Sequence, residues 1–458
     1  MSKIQEPSLL DKAFSPFAEV KPGEGTQLFL LLLNIFLILV AYYILKPVRE
    51  GLLTGGFFGL SSSNTKIAVA GLSAALLFIV VPGYSKIVDA YKRAKVINLS
   101  MGFACISLLI FVLLGRSGVR VGAAFYLWLS VVNVFLIAQF WSYANDIYTQ
   151  EAGKRLFAVI AIGGSAGAIV GSWLAGHFKA HTYGLLLASA ALLAFATFLY
   201  NLIDKTQTED QAKEEEQDVE KTKADDNDSK QGGFSLVFRS KYLRLIAAMI
   251  MLTNIVNTTG EFVLFKAASN SSETAFPDTA FPEIQDAEER KQKIKEARKS
   301  VITGFYGNFF FIVNLVSFLL QAFIVSRILK WLGVRTALFV LPVLAFGGYF
   351  LIALFGSVMI VRIAKTIENS VDYSLQNTVK QALFLPTTRE EKYKAKAAID
   401  TFFVRGGDLL AAAVSLGLGA GLGLSLNGFA WINTALIALW ILITFAIFKE
   451  HKKLTKAS

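Results

Sequence analysis

The feature that most constrains this chain is a series of twelve apolar segments, each long enough to cross a lipid bilayer as a helix. They fall near residues 27–45, 66–83, 97–114, 121–142, 156–177 and 183–203, then near 242–264, 303–326, 336–355, 357–384, 397–424 and 427–448. Hydrophobic residues make up 54% of the chain without counting its 35 glycines. Soluble domains are about 45–50% apolar with glycine included. The sequence therefore predicts an all-α membrane protein with twelve transmembrane helices.

An acidic stretch separates the two sets of six segments. Residues 204–232 hold 11 acidic residues against 5 lysines and no large aromatic residue, a composition typical of disordered chain. We therefore divide the chain into an N-terminal six-helix half (1–203), a charged cytoplasmic linker (204–240) and a C-terminal six-helix half (241–458). Residues 266–300 are predicted as the one long external loop, and 286–300, where acids and bases alternate at helical spacing, as a solvated external helix.

Basic residues mark one side of the predicted membrane. One set of short loops contains Lys86, Lys92, Arg93 and Lys95, then Lys154 and Arg155, then Arg327, Lys330 and Arg335, then Arg389, Lys392, Lys394 and Lys396. The charged short turns of the other side carry Arg116, Arg120 and Lys179. Because cytoplasmic loops are enriched in lysine and arginine, we predict that both termini are cytoplasmic.

One predicted span, residues 357–384, carries a stripe of polar and charged side chains. On a helix they fall within an arc of about 120°; they are Arg362, Lys365, Glu368, Asp372, Gln376 and Lys380. Ionisable residues at bilayer depth are costly and usually face a bundle interior or a watery cavity. We therefore expect this face to line a central cavity. Buried ion pairs that only hold helices together remain the alternative.

Other predicted spans carry polar residues that face one way. The candidate site residues among them are Lys46 and Arg49 beside the helix-breaking Pro47, Tyr143, the group Asn254, Asn257 and Glu261, and the pair Asp400 and Arg405. For Lys46, a position at the membrane interface is an equally weighted alternative. Gly163, Gly167 and Gly171 recur every four residues, which predicts a close-packing seam between helices.

Several classes of function are excluded by what the sequence lacks. It has one cysteine and three histidines, so we expect neither a metal site nor a bound cofactor. It has no GxxxxGK[ST] motif, no HExxH motif and no Ser-His-Asp set. We therefore expect a secondary transporter rather than an enzyme. Its expected partners are the lipid bilayer and a small anionic substrate, with no nucleic acid and no obligate protein partner.

Four stretches carry a resemblance to a known family. YYILKPVREGLL (42–53), FWSYANDIYTQEAGKRLFAVIAIGGSAG (140–167), NIVNTTGEFVLFK (254–266) and YSLQNTVKQALFLPTTREEKYKAKAAIDTFFVRGGD (373–408) resemble the ATP/ADP translocase family of plastids and intracellular bacteria. The resemblance implies a major facilitator-like fold of two six-helix halves and exchange of ATP/ADP-type nucleotides, or a related phosphorylated anion, across a bacterial inner membrane.

The same resemblance assigns four residues to family positions. Arg49, Glu261, Lys380 and Arg405 match charged positions of the family. The chain departs from the family where Arg405-Gly406-Gly407-Asp408 replaces Lys-Ser-Gly-Gly, and where Gln381 replaces a glutamate. We expect a divergent bacterial branch.

The residues themselves suggest a compatible mechanism. Arginine and lysine side chains would bind substrate phosphates, and carboxylates would neutralise them in the empty carrier. Asn254, Asn257, Tyr143 and Tyr373 would contact the base or ribose. Two alternatives stay open: a proton-coupled carrier of a small organic anion, based on Glu368 and Asp372 one helical turn apart, and a non-transporting scaffold that works through residues 266–300.

Overall fold

A computed structural model of the protein describes residues 7–16, 18–54, 56–57, 59–90, 93–214, 233–388, 391–421 and 423–457. Within these residues the fold is helical, apart from one isolated bridge between Phe57 and Leu60. In this described part of the chain, ten helices are long and apolar enough to cross a membrane, and Val340–Phe355 is a shorter apolar helix. The segment with the charged stripe is the twelfth. The prediction of twelve transmembrane helices in two six-helix halves is confirmed.

The helices are numbered as spans 1 to 12. Spans 1 to 6 are Glu24–Leu52, Ser62–Ala90, Arg93–Arg116, Gly122–Ile147, Gln150–His177 and Thr182–Glu214. Spans 7 to 12 are Lys241–Ala275, Ala287–Leu319 with Val325–Ala337, Val340–Phe355, Val358–Val371 with Asn377–Ala382, Lys396–Ala398 with Val404–Leu416, and Leu426–Ala457. Two short helices, Leu9–Phe14 and Gly233–Arg239, precede the two halves.

Several helices of the second half contain π-helical turns, in which one extra residue widens the helix. Leu320–Ile324 interrupts span 8 and Asp372–Gln376 interrupts span 10, while span 11 contains Glu391–Ala395, Ile399–Phe403 and Gly417–Gly421. The described spans of the first half are uninterrupted α-helices. The backbone irregularities are therefore concentrated in the half that carries the charged stripe.

Two predicted segments differ from the structure. Span 7 continues to Ala275 and span 8 begins at Ala287, so most of the predicted loop 266–300 is helical. Residues 287–300 are helical, as predicted, and form the first turns of span 8. The Asp286 carboxylate caps that helix by accepting the N–H groups of Glu288 and Glu289. In the predicted linker, residues 204–214 continue span 6 as a helix, and 215–232 lie outside the described residues.

The glycine seam predicted in span 5 packs against span 1. A Cβ atom at Gly163, Gly167 or Gly171 would meet the carbonyl oxygens of Leu32, Phe36 and Val40 in turn, with 2.6 Å at the first of them. Because real Cβ contacts of this length do not occur, each position requires glycine for the two backbones to approach so closely. The prediction of a close-packing seam is confirmed.

The two halves meet most closely at one end of the bundle. Because the number of spans is even, both chain termini lie at the same end of the bundle. We call this end the terminal end and the opposite end the far end. At the far end Gly307 of span 8 packs on Gly176 of span 5, and a Cβ at Gly51 of span 1 would collide with Thr303 of span 8. Span 2 packs on span 11 through Gly71 and Ala412. The far end is therefore closed.

Candidate functional site

Two cavities lie between the two halves; we name them the large lobe and the small lobe, and together the central cavity. The large lobe has a volume of about 580 Å³ and lies in the terminal half of the bundle, between spans 1, 4, 5, 8 and 10. Its lining includes Tyr43, Trp141, Asn314, Gln321, Asp372 and Lys380. The small lobe, of about 250 Å³, is lined by Arg49, Lys66, Tyr126, Glu261, Arg405 and Asp408 from spans 1, 2, 4, 7 and 11.

Span 10 turns its charged face toward this interior. Lys365 is 0% exposed and Glu368 is 6% exposed, while Met359 is 62% exposed on the opposite side of the helix. Ile363 and Ile367 are exposed beside Met359. In a lipid bilayer the apolar face would contact lipid chains and the charged face would contact other helices. The orientation of the stripe is the one expected from the sequence.

A buried carboxylate links two cations in the first half. Glu50 accepts hydrogen bonds from Arg49, at 2.6 Å from Nη2, and its other oxygen lies 2.9 Å from the Lys66 ammonium. Tyr126 supports the other face of the Arg49 guanidinium, with its ring centroid 4.1 Å from Cζ. Glu50 and Lys66 are both almost completely buried. The three charged groups therefore hold one another in fixed positions.

The charged chain continues from Lys66 into the second half. The Lys66 ammonium donates to the Tyr306 hydroxyl at 3.2 Å and lies 4.0 Å from one oxygen of Glu261. The other oxygen of Glu261 is 3.9 Å from Lys365, whose ammonium lies 3.0 Å from Glu368. The series from Arg49 to Glu368 alternates in sign and crosses the boundary between the halves. We name these six residues, Arg49, Glu50, Lys66, Glu261, Lys365 and Glu368, the charge chain.

Amide side chains complete the second-half part of the charge chain. Asn257 accepts a hydrogen bond from Lys365 at 3.2 Å, and the Asn369 amide donates to Glu261 at 3.1 Å. These groups satisfy donors and acceptors that would otherwise be buried without partners.

Within the described part of the chain, Lys46 is surrounded by aromatic rings rather than paired with a carboxylate. Its ammonium lies 3.9 Å from the centroid of the Phe310 ring, 5.3 Å from that of Tyr43 and 5.8 Å from that of Tyr373. Among the described residues, no carboxylate lies within the 4.0 Å of an ion pair to it. Aromatic faces stabilise this cation without neutralising its charge.

Two further ion pairs lie at the cavity wall. Lys380 pairs with Asp372 at 3.2 Å in the large lobe, and Arg405 pairs with Asp408 at 3.3 Å in the small lobe. Asp408 also accepts a hydrogen bond from Thr258 at 2.7 Å. The π-helical turn Asp372–Gln376 ends at Gln376, which is fully buried with no hydrogen-bond partner for its amide among the described residues.

Nine of the fifteen predicted site residues line neither lobe. Five of the nine are Lys46, Asn257, Lys365, Glu368 and Gln376, and the other four lie elsewhere. Tyr143 packs on Tyr200 in the core of the first half, with ring centroids 4.4 Å apart. Arg362 lies over Phe305, Asp400 pairs with Lys396 on the surface, and Asn254 donates to the backbone of its own helix. None of the four lines either lobe. A residue's angular position on its helix does not determine its contacts. Its depth along the helix and the identity of the neighbouring helix determine them as well.

Sequence reasoning missed several residues that the structure brings together. Glu50, Lys66, Tyr306 and Asn369 belong to the charge chain or contact it. Lys66 had a detectable signal, since it is a lone charge at the start of an apolar segment. Glu50 follows Arg49 directly, and tyrosine and asparagine carried no distinguishing pattern.

Within the described residues, no group of three histidine, cysteine, aspartate or glutamate side chains is placed to hold a metal ion. The cavity therefore offers charged pairs, amides and aromatic rings. Such groups can bind, orient and release an anion.

Comparison with known proteins agrees with this architecture. The chain is 25% identical over 337 residues to the ADP,ATP carrier protein 1 of Chlamydia pneumoniae, which covers 65% of this chain and 60% of the relative. It is 24% identical over 323 residues to the protein of the same name from Chlamydia trachomatis, covering 62% and 56%. The matched region thus spans about three fifths of these relatives' length. The expected resemblance to ADP,ATP carriers is confirmed.

Solved structures show the same fold at low sequence identity. A bacterial homologue of the iron transporter ferroportin in its inward-facing state matches with a TM-score of 0.61 and 14% identity, over 92% of this chain and 98% of that one. A mutant of the nucleoside transporter NupG matches with a TM-score of 0.59 and 15% identity, over 93% and 99%. The sequence pattern of one family matches residues 28–367, most of the chain. The chain therefore belongs to the Major Facilitator Superfamily.

Proposed function

We propose that this protein is a secondary transporter that exchanges nucleotides of the ATP/ADP type, or a related phosphorylated anion, across a bacterial inner membrane by alternating access. The observation that carries the proposal is the set of cations from both halves that line the two lobes or contact residues that line them. The cations are Lys46, Arg49, Lys66, Lys365, Lys380 and Arg405, and the carboxylates paired with five of them are Glu50, Glu261, Glu368, Asp372 and Asp408.

This charge pattern suits exchange of a polyanion. In the empty cavity five cations already have a carboxylate partner, so little buried charge is unbalanced. Substrate phosphates would compete with the carboxylates for the same cations, and arginine forks such as Arg49 and Arg405 bind phosphate oxygens in pairs. Losing the substrate without a replacement would leave the cations to re-pair or to remain buried and unpaired at a cost. Obligatory exchange follows from that competition.

The large lobe offers space and aromatic surface for the rest of the substrate. Its volume of about 580 Å³ lies within the range of about 300–1,000 Å³ found for small-molecule sites. Tyr43, Trp141 and Tyr373 line it, and their rings can stack on a base. Asn257, which contacts the charge chain, can also accept a hydrogen bond from a ribose hydroxyl, because an amide oxygen has two acceptor lone pairs.

The position of the cavity supports an assignment of conformation. The far end is closed by tight glycine contacts, while the large lobe lies in the terminal half. The basic short loops also lie at the terminal end, which favours a cytoplasmic location for that end. The arrangement is then the inward-facing one, and opening of the far end would complete the transport cycle.

Exchange in proteoliposomes tests the proposal. Purified protein loaded with unlabelled ADP should take up labelled ATP, and Arg405→Lys should weaken this uptake because it keeps the charge but removes the planar fork. Glu368→Gln should retain substrate binding and convert strict exchange toward uniport or a stalled carrier. Asp400→Asn is the matched control, since its carboxylate pairs with Lys396 outside the cavity.

The proton-coupled alternative makes the opposite forecast. It was based on Glu368 and Asp372 acting together, but each of them is paired with its own lysine. If Arg405→Lys behaves as wild type while Glu368→Gln abolishes pH-dependent uptake of a non-phosphorylated anion, the nucleotide assignment falls.

A further inference from the structure

A second charged region lies at the far end, outside the central cavity. Two adjoining cavities of about 60 and 460 Å³ share Thr54 and Lys295 as lining residues. The smaller is bounded by the first half through Arg120 and Tyr183, and by the second half through the first turns of span 8. We name the two cavities together the basic cleft.

The basic cleft has more positive charge than its own carboxylates neutralise. Its cations are Arg120, Arg290, Lys291, Lys295, Arg298 and Lys299, against Glu296 and Asp278. Lys291 pairs with Glu288 at 2.8 Å and Arg298 with Asp278 at 2.9 Å, while the Glu296 carboxylate accepts a hydrogen bond from Gln292. In the part of the chain that the structure describes, Arg120, Arg290, Lys295 and Lys299 have no carboxylate within 4.0 Å.

These unpaired cations lie on both sides of the boundary between the halves. Arg120 belongs to the turn before span 4, which Gly118 forms with φ 88, a conformation that other residues rarely adopt. Lys295 and Lys299 belong to span 8, and the Lys299 ammonium is 5.0 Å from the centroid of the Tyr183 ring. Like charges that face one another across an interface repel. An anion between them would replace this repulsion with attraction.

We propose that the basic cleft is a second, peripheral site for phosphate-bearing anions, separate from the central cavity. Arg120 from the first half and Lys295 and Lys299 from the second would bind the phosphate oxygens together, so the bound anion would bridge the halves and stabilise the closed far end. The identification of the bound anion with the transported nucleotide rests on the proposed function. Under that function the cleft faces the outside and concentrates the substrate's phosphate chain at the entrance, because clefts lined by one sign of charge focus counter-ions.

Equilibrium binding of labelled inorganic pyrophosphate to the purified full-length protein tests the site. We expect two classes of bound pyrophosphate in the wild type. Arg120→Gln and Lys299→Gln should each weaken one class about tenfold or more, the loss typical of one charge-assisted hydrogen bond. The same two substitutions should reduce the rise in apparent melting temperature that pyrophosphate produces. Lys293→Gln is the matched control, because Lys293 lies on the same turns of span 8 but lines neither cavity.

The design separates this proposal from the proposed function. Arg49→Gln combined with Lys380→Gln should remove the central class and leave the peripheral class intact. If nucleotide exchange fails while the Arg120-dependent class persists, the peripheral site stands and the transport assignment falls. If pyrophosphate binding is unchanged in a folded Arg120→Gln or Lys299→Gln variant, or falls equally in Lys293→Gln, the basic cleft is not a site. The two single variants come from different halves, so either one that folds decides the outcome.

Discussion

The two halves of the bundle contribute opposite net charge to the groups in and around the two lobes. The first half supplies Lys46, Arg49 and Lys66 with one carboxylate, Glu50; the second supplies Lys365, Lys380 and Arg405 with Glu261, Glu368, Asp372 and Asp408. The first half is therefore the cationic wall, and the second carries most of the counter-charges. A polyanion that enters must be attracted by the first half and must displace carboxylates of the second.

The backbones of the two halves also differ: the described spans of the first half are more regular than those of the second. In the first half, span 5 meets span 1 along a glycine seam at backbone contact, and the described spans are uninterrupted α-helices. In the second half, spans 8, 10 and 11 contain π-helical turns, which often occur at functional sites. We infer that the first half is the rigid partner and that adjustment to the substrate occurs mainly in the second.

We expect the largest loss of stability from substitution of Glu50, which pairs with two cations of the first half. Glu50→Gln would leave Arg49 and Lys66 buried side by side without their shared counter-charge, which should cost about 3–5 kcal/mol. The apparent melting temperature in detergent should fall sharply, and adding Lys66→Met should restore much of it by removing one of the two cations. Glu450→Gln, which alters a carboxylate paired with Lys241 and Lys453 away from both lobes, is the control. Wild-type stability of Glu50→Gln would show that the first half does not depend on this pairing.

Glycine substitutions compare the rigidity of the two halves directly. Gly167→Ala places a methyl group against the backbone carbonyl of Phe36, whereas Gly260→Ala in span 7 places one against the ends of the Tyr349 and Lys365 side chains. Overpacking costs about 1–3 kcal/mol when the neighbour cannot move. Gly167→Ala should therefore lower the melting temperature more than Gly260→Ala, and Gly260→Ala should mainly change transport. The reverse order of melting temperatures would contradict the assignment of the first half as rigid.

The sequence predicted the architecture far better than the pairing within the site. Apolar length fixes the spans because the bilayer requires about 20 apolar residues per helix, and periodicity fixes which face of span 10 is polar. Periodicity does not say which residue of a neighbouring helix lies at the same depth. Tyr143 and Asp400 were therefore placed in the cavity although they pack elsewhere, and Lys66 was overlooked although it joins Glu50 to Glu261. The π-helical turn in span 10 also shifts the position of Lys380 relative to a regular α-helix. No local sequence pattern predicts that turn.

The smallest effect on stability, with a clear effect on function, is expected at Lys46. This cation already lacks a carboxylate partner among the described residues, so Lys46→Met strands no counter-charge and keeps an apolar stem of similar length. The loss of a cation–π contact, worth about 0.5–2 kcal/mol, is offset because a half-buried charge is also removed. We expect a nearly unchanged melting temperature but nucleotide binding weakened about tenfold or more, as for loss of a hydrogen bond to a charged group. Lys380→Met is the comparison, because it strands Asp372 and should lose both stability and binding. If Lys46→Met binds nucleotide as tightly as wild type, the excess positive charge of the first half has a structural role only. The proposed division of roles between the two halves would then be wrong.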